Sequence, residues 1–302
     1  MKVLIAIDDS RHSLGAVRFV ARYLAANDET EIHLVHALYE PPTEPGRHPS
    51  RHTRDLRRIP PDVRRVFDRA LKRLEPRRLP VDLRVRRGLP TAVLPELAAE
   101  GDYDLVVVGA KGRSDAPFLD VGSVALAVLE HVPMSVLMTR EREPGRRRGR
   151  SAPLRVLFAT DGSTYSSAAT ETFFRLFDVP ALEASAVAVA ELPEPAMLRR
   201  MSPPRRQEYQ SVVESAADDW LGRLEAQLAR HDIEPASKRL KGRPPKALVD
   251  FAARQDIDVA VLGSRGTRGT WGPRLGSTAL GVAKSSPCSV LIVRSPGRHS
   301  PR

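Results

Sequence analysis

A single cysteine, Cys288, is all that 302 residues contain. One thiol can form neither an intrachain disulfide nor a paired CxxC metal site, so disulfide-stapled secreted scaffolds and cysteine zinc modules are excluded. Aromatic residues make up only 5% of the chain, too few for the stacking platforms that hold unpaired bases. No apolar run reaches the ~20 residues that a spanning helix requires. The short apolar run at residues 2–7 is followed at once by Asp8 and Asp9, which denies it the core and cleavage site of a secretion signal. A cytoplasmic protein with no membrane segment is the expectation. The chain also lacks a G-x4-G-K-[ST] phosphate loop, an HExxH zinc site and a Ser-His-Asp order. His12, His48, His52 and His231 are scattered through polar stretches without ligand spacing, and read as surface residues.

What is plentiful is positive charge, a formal net of +11. Clustered Lys and Arg raise nucleic acid as a partner. Here much of the excess lies in two Pro- and Arg-rich stretches, 47–78 and 140–155, rather than on a helix with interleaved aromatics. The reading is a solvated surface with weak attraction for polyanions and no specific nucleic-acid recognition.

The main organisational signal is self-similarity. Residues 101–109, GDYDLVVVG, align with residues 256–263, DIDVAVLG, and the step from Gly109 to Gly263 is 154. The same step takes Gly88 to Gly242, Pro90 to Pro244, Gly112 to Gly266, Gly122 to Gly276 and Pro133 to Pro287. So long a period marks a duplicated domain. The boundaries are a first domain over 1–140, a linker over 141–151 rich in like charges and breakers, a second domain over 152–296, and a tail over 297–302. Within each half, short β-branched runs alternate with longer amphipathic stretches, the pattern of βαβ units around a parallel sheet. Strands are predicted near 2–7, 31–38, 81–86, 104–109 and 135–139, with helices near 12–26, 61–75, 91–100 and 122–131. The second half repeats them, with strands near 154–159, 183–190, 236–240, 258–263 and 289–293. Right-handed crossovers then give α/β, doubly wound, Rossmann-like domains in tandem. The first and fourth strands are adjacent at a switch point, beyond whose carboxyl ends ligands bind.

At that point the chemistry-bearing residues appear twice. After the fourth strand come Gly109-Ala110-Lys111-Gly112, nine residues, then Gly122-Ser123 opening a helix; the second copy reads Gly263-Ser264-Arg265-Gly266, nine residues, then Gly276-Ser277. Glycine lets backbone approach a ligand closely. A helix amino terminus offers unpaired N–H groups and the positive end of its dipole to a phosphate chain, and the serine hydroxyls can add to this. The competing reading is that both serines only cap their helices. After the first strand, Asp8 and Asp161 project toward the same crevice, where an aspartate can accept hydrogen bonds from an adenosine. Here the alternative is a helix amino-terminal cap, with Asp9-Ser10 or Gly162-Ser163 only starting the next helix.

An Asp after the first strand with G-x2-G-x9-G-[ST] after the fourth resembles the universal stress protein family, over nearly the whole chain as two copies. The resemblance implies the wider adenine-nucleotide hydrolase-like α/β fold and adenine and ribose contacts near Asp8 and Asp161. It also implies a backbone contact at the end of the second strand, at Ala37 in one half and Val189 in the other. Gly109, Gly112, Gly122 and Ser123, with Gly263, Gly266, Gly276 and Ser277, would hold ribose and phosphates. The expected ligand is ATP with magnesium or manganese. The family also implies a stress-response setting and pairing of the last strands, here joining the two halves within one chain and leaving a homodimer open.

Departures from the pattern matter. His36 has Ala188 as its counterpart and reads as sheet packing. The first nine-residue loop holds Asp115 and Asp120, the second Arg268 and Arg274, so unequal pockets are expected, because carboxylates repel phosphate and arginines attract it. Trp271 reads as packing, and Cys288, the counterpart of Met134, as a buried hydrophobe. With cradle residues but no evident general base, any ATP hydrolysis should be slow, and the leading function is a nucleotide-responsive regulatory protein. Two alternatives stand beside it: an adenine-nucleotide-dependent enzyme of the wider hydrolase-like group, and a basic interaction scaffold with vestigial pockets.

Overall fold

A computed structural model describes residues 1–27, 29–39, 52–53, 59–112, 121–141, 152–193, 195–267 and 275–294. The charged loop residues Asp115, Asp120, Arg268 and Arg274, together with Trp271, His48 and most of the linker, lie outside them. The chain forms two compact units that divide near residue 146. Among the described residues no helix is long and apolar enough to cross a membrane.

In the first unit, strands β1 (Lys2–Ala6), β2 (Glu31–Leu38), β4 (Val81–Arg87), β5 (Leu105–Gly109) and β6 (Ser135–Thr139) are parallel, and a two-residue strand β3 (His52–Thr53) joins the edge antiparallel to β4. The order is β3-β4-β2-β1-β5-β6. Helices α1 (Arg11–Tyr23), α2 (Pro61–Leu74), α3 (Pro90–Glu100) and α4 (Ser123–His131) connect them. The second unit repeats the plan with β7 (Leu154–Thr160), β8 (Leu182–Ala190), β9 (Ala236–Lys241), β10 (Val259–Gly263) and β11 (Ser289–Val293), ordered β11-β10-β7-β8-β9. Its helices are α5 (Thr164–Leu176), α6 (Pro195–Arg200), α7 (Pro203–Ala229), α8 (Pro244–Arg254) and α9 (Ser277–Ser285). As expected, the strand carrying the glycine loop lies against the first strand of its unit: Ile5 is in register with Val107, and Phe158 with Val261. The reason is burial. β5, which lies between β1 and β6, is buried along its whole length, as a central strand covered on both faces is.

The two copies differ most in one helix. α2 has 14 residues and α7 has 27. The buried positions Val63, Phe67, Ala70 and Leu74 have counterparts 154 residues on at Ala217, Leu221, Leu224 and Leu228, so α7 keeps the packing stripe and adds turns at its amino end. Glu214, on the side facing β9, accepts ion pairs from Arg239 at 3.0 Å and Lys241 at 2.6 Å, and Asp218 also pairs with Arg239. These contacts hold the longer helix over the edge strand.

Of the histidines read as surface residues, His12 is buried and His231 is half-buried. His12, the second residue of α1, lies against Gly109 at the end of β5. His231 stacks on Phe174 at 3.9 Å between ring centroids and bonds to Glu171 at 3.2 Å. His52 lies in β3, opposite Arg86. His36 donates from Nδ1 to the Ile7 carbonyl at 2.9 Å, which is the packing role expected of it.

A partly buried polar network fixes the amino-terminal edge of the first sheet. Arg84 donates to the Tyr103 hydroxyl oxygen at 3.2 Å, Tyr103 lies 2.7 Å from His33 Nδ1, and His33 Nε2 lies 2.6 Å from Glu31. The Glu31 carboxylate only accepts, so Nε2 carries the proton and Nδ1 accepts from the phenol. Burial holds His33 below the ordinary imidazole value against the pull of Glu31, with Arg84 and Lys2 adding to the depression. The bond to His33 holds Glu31 below the ordinary carboxylate range.

Glycine at the end of the fourth parallel strand serves the packing of the first helix. A Cβ on Gly109 would lie 2.8 Å from the His12 carbonyl carbon, and one on Gly263 would lie 2.7 Å from that of Tyr165. Backbone cannot yield as a side-chain tip can. Gly263→Ala is therefore expected to cost about 1–3 kcal/mol, the range for overpacking a well-filled interior, read from the urea transition of the purified chain. For His33, the unfolded chain takes up a proton near pH 6.5 while the native sheet resists it until lower pH. The unfolded state then binds more protons, and stability falls as pH drops below 6.5 through the native value. His33→Gln should flatten the urea midpoint against pH between 7 and 5; an unchanged slope would remove His33 as the cause.

Candidate functional site

Both units place their motif residues around the carboxyl ends of the two adjacent central strands. In the first, Asp8 follows β1, and its Oδ1 accepts from the Ser10 N–H at 3.0 Å and from the Ser10 hydroxyl at 2.5 Å. Its Oδ2 lies where a Cβ on Gly112 would reach it at 3.2 Å. In the second, Asp161 Oδ1 accepts from Ser163 N–H at 3.1 Å and its hydroxyl at 2.6 Å, while Oδ2 accepts from the Thr267 N–H at 3.0 Å. A Cβ on Gly266 would collide with that same oxygen. Each carboxylate thus has two roles. One oxygen orders the turn into the next helix, and the other meets the glycine loop.

The serines after these aspartates are the true helix caps. Ser10 accepts from the Ser13 N–H at 3.1 Å, and Ser163 from the Ser166 N–H at 3.2 Å. Ser123 and Ser277 are not caps. They are the first residues of α4 and α9, the cap positions are Gly122 and Gly276, and neither helix start has a side-chain cap. The leading N–H groups of both helices are thereby left to solvent or a ligand, and both serines are exposed. The glycine loops close on themselves through Gly122 N–H to the Ala110 carbonyl at 2.7 Å and Gly276 N–H to the Ser264 carbonyl at 2.8 Å.

In the second unit these elements border a cavity of about 1030 Å³. Asp161, Val189, Gly263, Gly266, Gly276 and Ser277 all line it, which brings together the residues expected there from sequence. The corresponding first-unit residues Asp8, Ala37, Gly109, Gly112, Gly122 and Ser123 hold the same places at the strand and helix ends. Gly109 and Gly263 differ from the others in one respect. Their missing Cβ makes room for helix backbone rather than for a ligand. A smaller hollow of about 500 Å³ in the first unit, bordered by Leu71, Arg78 and Val81, lies at the opposite, amino-terminal edge of the sheet.

Sequence reading missed several cavity residues: Arg243 and Lys246 at the start of α8, Glu191 after β8, and Trp220 on α7. The 154-residue step could have found the first two, because it pairs them with Leu89 and Ala92. Arg265 also borders the cavity, its guanidinium over the Tyr165 ring at 5.7 Å from the centroid. Arg294, just after β11, is held below the ordinary guanidinium value, first by burial and then by the Arg265 charge. The carboxyl edge of the second sheet therefore concentrates like charges, and an anion relieves such repulsion.

The described residues include one other cluster of metal-ligand type, Glu31, His33 and Asp82. Its groups are engaged in the network with Tyr103 and Arg84, at the opposite edge of the sheet.

Comparison with known proteins agrees with this geometry. The model of the universal stress protein family matches twice, over residues 1–140 and 154–294. A universal stress protein of Mycobacterium tuberculosis strain H37Rv is 28% identical, over 97% of this chain and 96% of its own length. One from Methanocaldococcus jannaschii is 26% identical over 51% of this chain and 89% of its own. Among solved structures, a universal stress protein from Archaeoglobus fulgidus has a TM-score of 0.62 at 18% identity, covering 97% of this chain and 98% of that one. With an aspartate, a glycine loop and an uncapped helix start in each half, and a family match over each half, the chain belongs to the universal stress protein family, of which it carries two copies in tandem.

Proposed function

We propose that the chain binds adenine nucleotide, ATP with magnesium or manganese, in a pocket in each half, and that it acts as a nucleotide-responsive regulatory protein in stress. The observation that carries this reading is the second-unit cavity, where an uncapped helix start, three cations and an aspartate converge on one volume. Helix N–H groups and arginines suit a phosphate chain. Asp161 and the Ser277 hydroxyl are hard oxygen donors, the chemistry that fits a magnesium ion carried largely by phosphates.

Hydrolysis is at most slow in this reading. The cavity acids are Asp161 and Glu191. Both Asp161 oxygens are engaged, by Ser163 and by Thr267, so Asp161 does not stand ready to take a proton from water. The bound nucleotide then acts by shifting the population of loop arrangements that a partner recognises.

A thermal or urea titration with millimolar MgATP tests the binding. At ligand ~100-fold above the dissociation constant, the gain in stability should be about 2.7 kcal/mol; an unchanged transition would refute it. The pocket assignment has its own test. A Cβ on Gly276 would already lie 3.2 Å from the Ser264 carbonyl oxygen, and one on Gly122 would lie 3.5 Å from that of Ala110, so a branched side chain must cover the helix start. Gly122→Val and Gly276→Val should each remove one of two binding equivalents in calorimetric titration. Should neither variant lower the stoichiometry, the pockets lie elsewhere.

A further inference from the structure

Trp220 lies on α7, three residues after the buried Ala217, half-buried and on the wall of the second-unit cavity. Its five-membered ring sits where a Cβ on Gly162 would be. Gly162 itself has φ +74°, a conformation open to glycine and costly for other residues. The indole therefore lies directly on the backbone of the Asp161-Gly162-Ser163 turn, with no side chain between. In the first unit the same two places hold Asp9, which is not among the residues of positive φ, and Val66, which is buried in α2.

The cavity around it is lined by side chains of two chemistries. Val189, Val213, Ala216 and Leu248 are apolar like Trp220, while Arg243, Lys246 and Arg265 bring positive charge that outnumbers the acids Asp161 and Glu191. A ligand that satisfies both has a flat apolar part and an anionic part. A purine nucleotide has this form, and an inorganic polyphosphate does not. Base-on-indole stacking is among the stronger contacts available to such a ring.

We propose that Trp220 is the specificity-determining residue of the second pocket, stacking on the purine base of its ligand, and that Gly162 is the residue that permits it to lie there. The inference rests on the nucleotide reading above. It adds that the second pocket selects for the base as well as for the phosphates, and that the first pocket lacks this selection.

The test uses the full chain carrying Trp271→Phe, so that Trp220 is the sole tryptophan. ATP and adenosine should quench its fluorescence, and tripolyphosphate should not. Trp220→Val, which installs the residue found at this place in the first unit and so should fold, is expected to weaken the second calorimetric site for ATP roughly ten-fold. Binding of tripolyphosphate should be unchanged, and Trp220→Phe should restore most of the ATP affinity. If ATP binds with its full heat while Trp220 fluorescence stays constant and Trp220→Val binds as tightly as the parent, Trp220 is packing only and the nucleotide reading stands. If neither heat nor quenching accompanies ATP, both fall together. Equal quenching by tripolyphosphate would show a response to anions alone and overturn the stacking.

Discussion

The structure depends on one close approach. In each unit the first helix crosses the end of the fourth parallel strand with its backbone against a glycine, His12 over Gly109 and Tyr165 over Gly263. Because helix and strand meet without a side chain between them, the turn that starts the helix is drawn beside the loop that ends the strand. The aspartate of that turn then reaches the second glycine of the loop, at Gly112 or Gly266. Any residue larger than glycine at the strand end would lift the helix and separate the two halves of the site. The glycines most readily read as ligand contacts are thus of two kinds, one that brings the site together and one that borders it.

Much of this was legible in the sequence because it rests on local patterns. The parallel strands fall within a residue or two of their expected places, since buried runs such as LVVVG and VAVLG leave a central strand little alternative. The constant step between copies carried the glycine-loop residues of the first half onto Gly263, Gly266, Gly276 and Ser277, while Asp161 and Val189 were matched by the strands they follow or end. What was not legible depends on partners distant in sequence. β3 is two residues long and exists through its pairing with β4. The extra turns of α7 precede its buried stripe, and the helix is held against the β9 cations by Glu214 at the end of those turns and Asp218 just beyond. His12 looks polar among Arg11 and Ser13, but the helix turns it toward the sheet.

The site itself was half legible. Motif spacing located Asp161, Gly266, Gly276 and Ser277, and the structure gathers them on one cavity. It also shows that capping falls to Ser10 and Ser163 and not to Ser123 and Ser277. Inequality between the halves was expected from loop charges that lie outside the described residues. A different inequality is present within them, in Arg243 and Lys246 where the first unit has Leu89 and Ala92, and it arises from the start of the helix after the third parallel strand.

The contact between Trp220 and Gly162 also constrains how two copies of one domain could drift apart. Exchanging the pair Asp9 and Val66 for the pair Gly162 and Trp220 takes two substitutions, and the order is not free. An indole arriving first would meet an aspartate side chain in the space it must occupy, whereas glycine opposite valine leaves only a small gap. Whichever pair the undivided ancestor had, the passable route between them runs through glycine with valine, and the tryptophan is either the last residue gained or the first one lost.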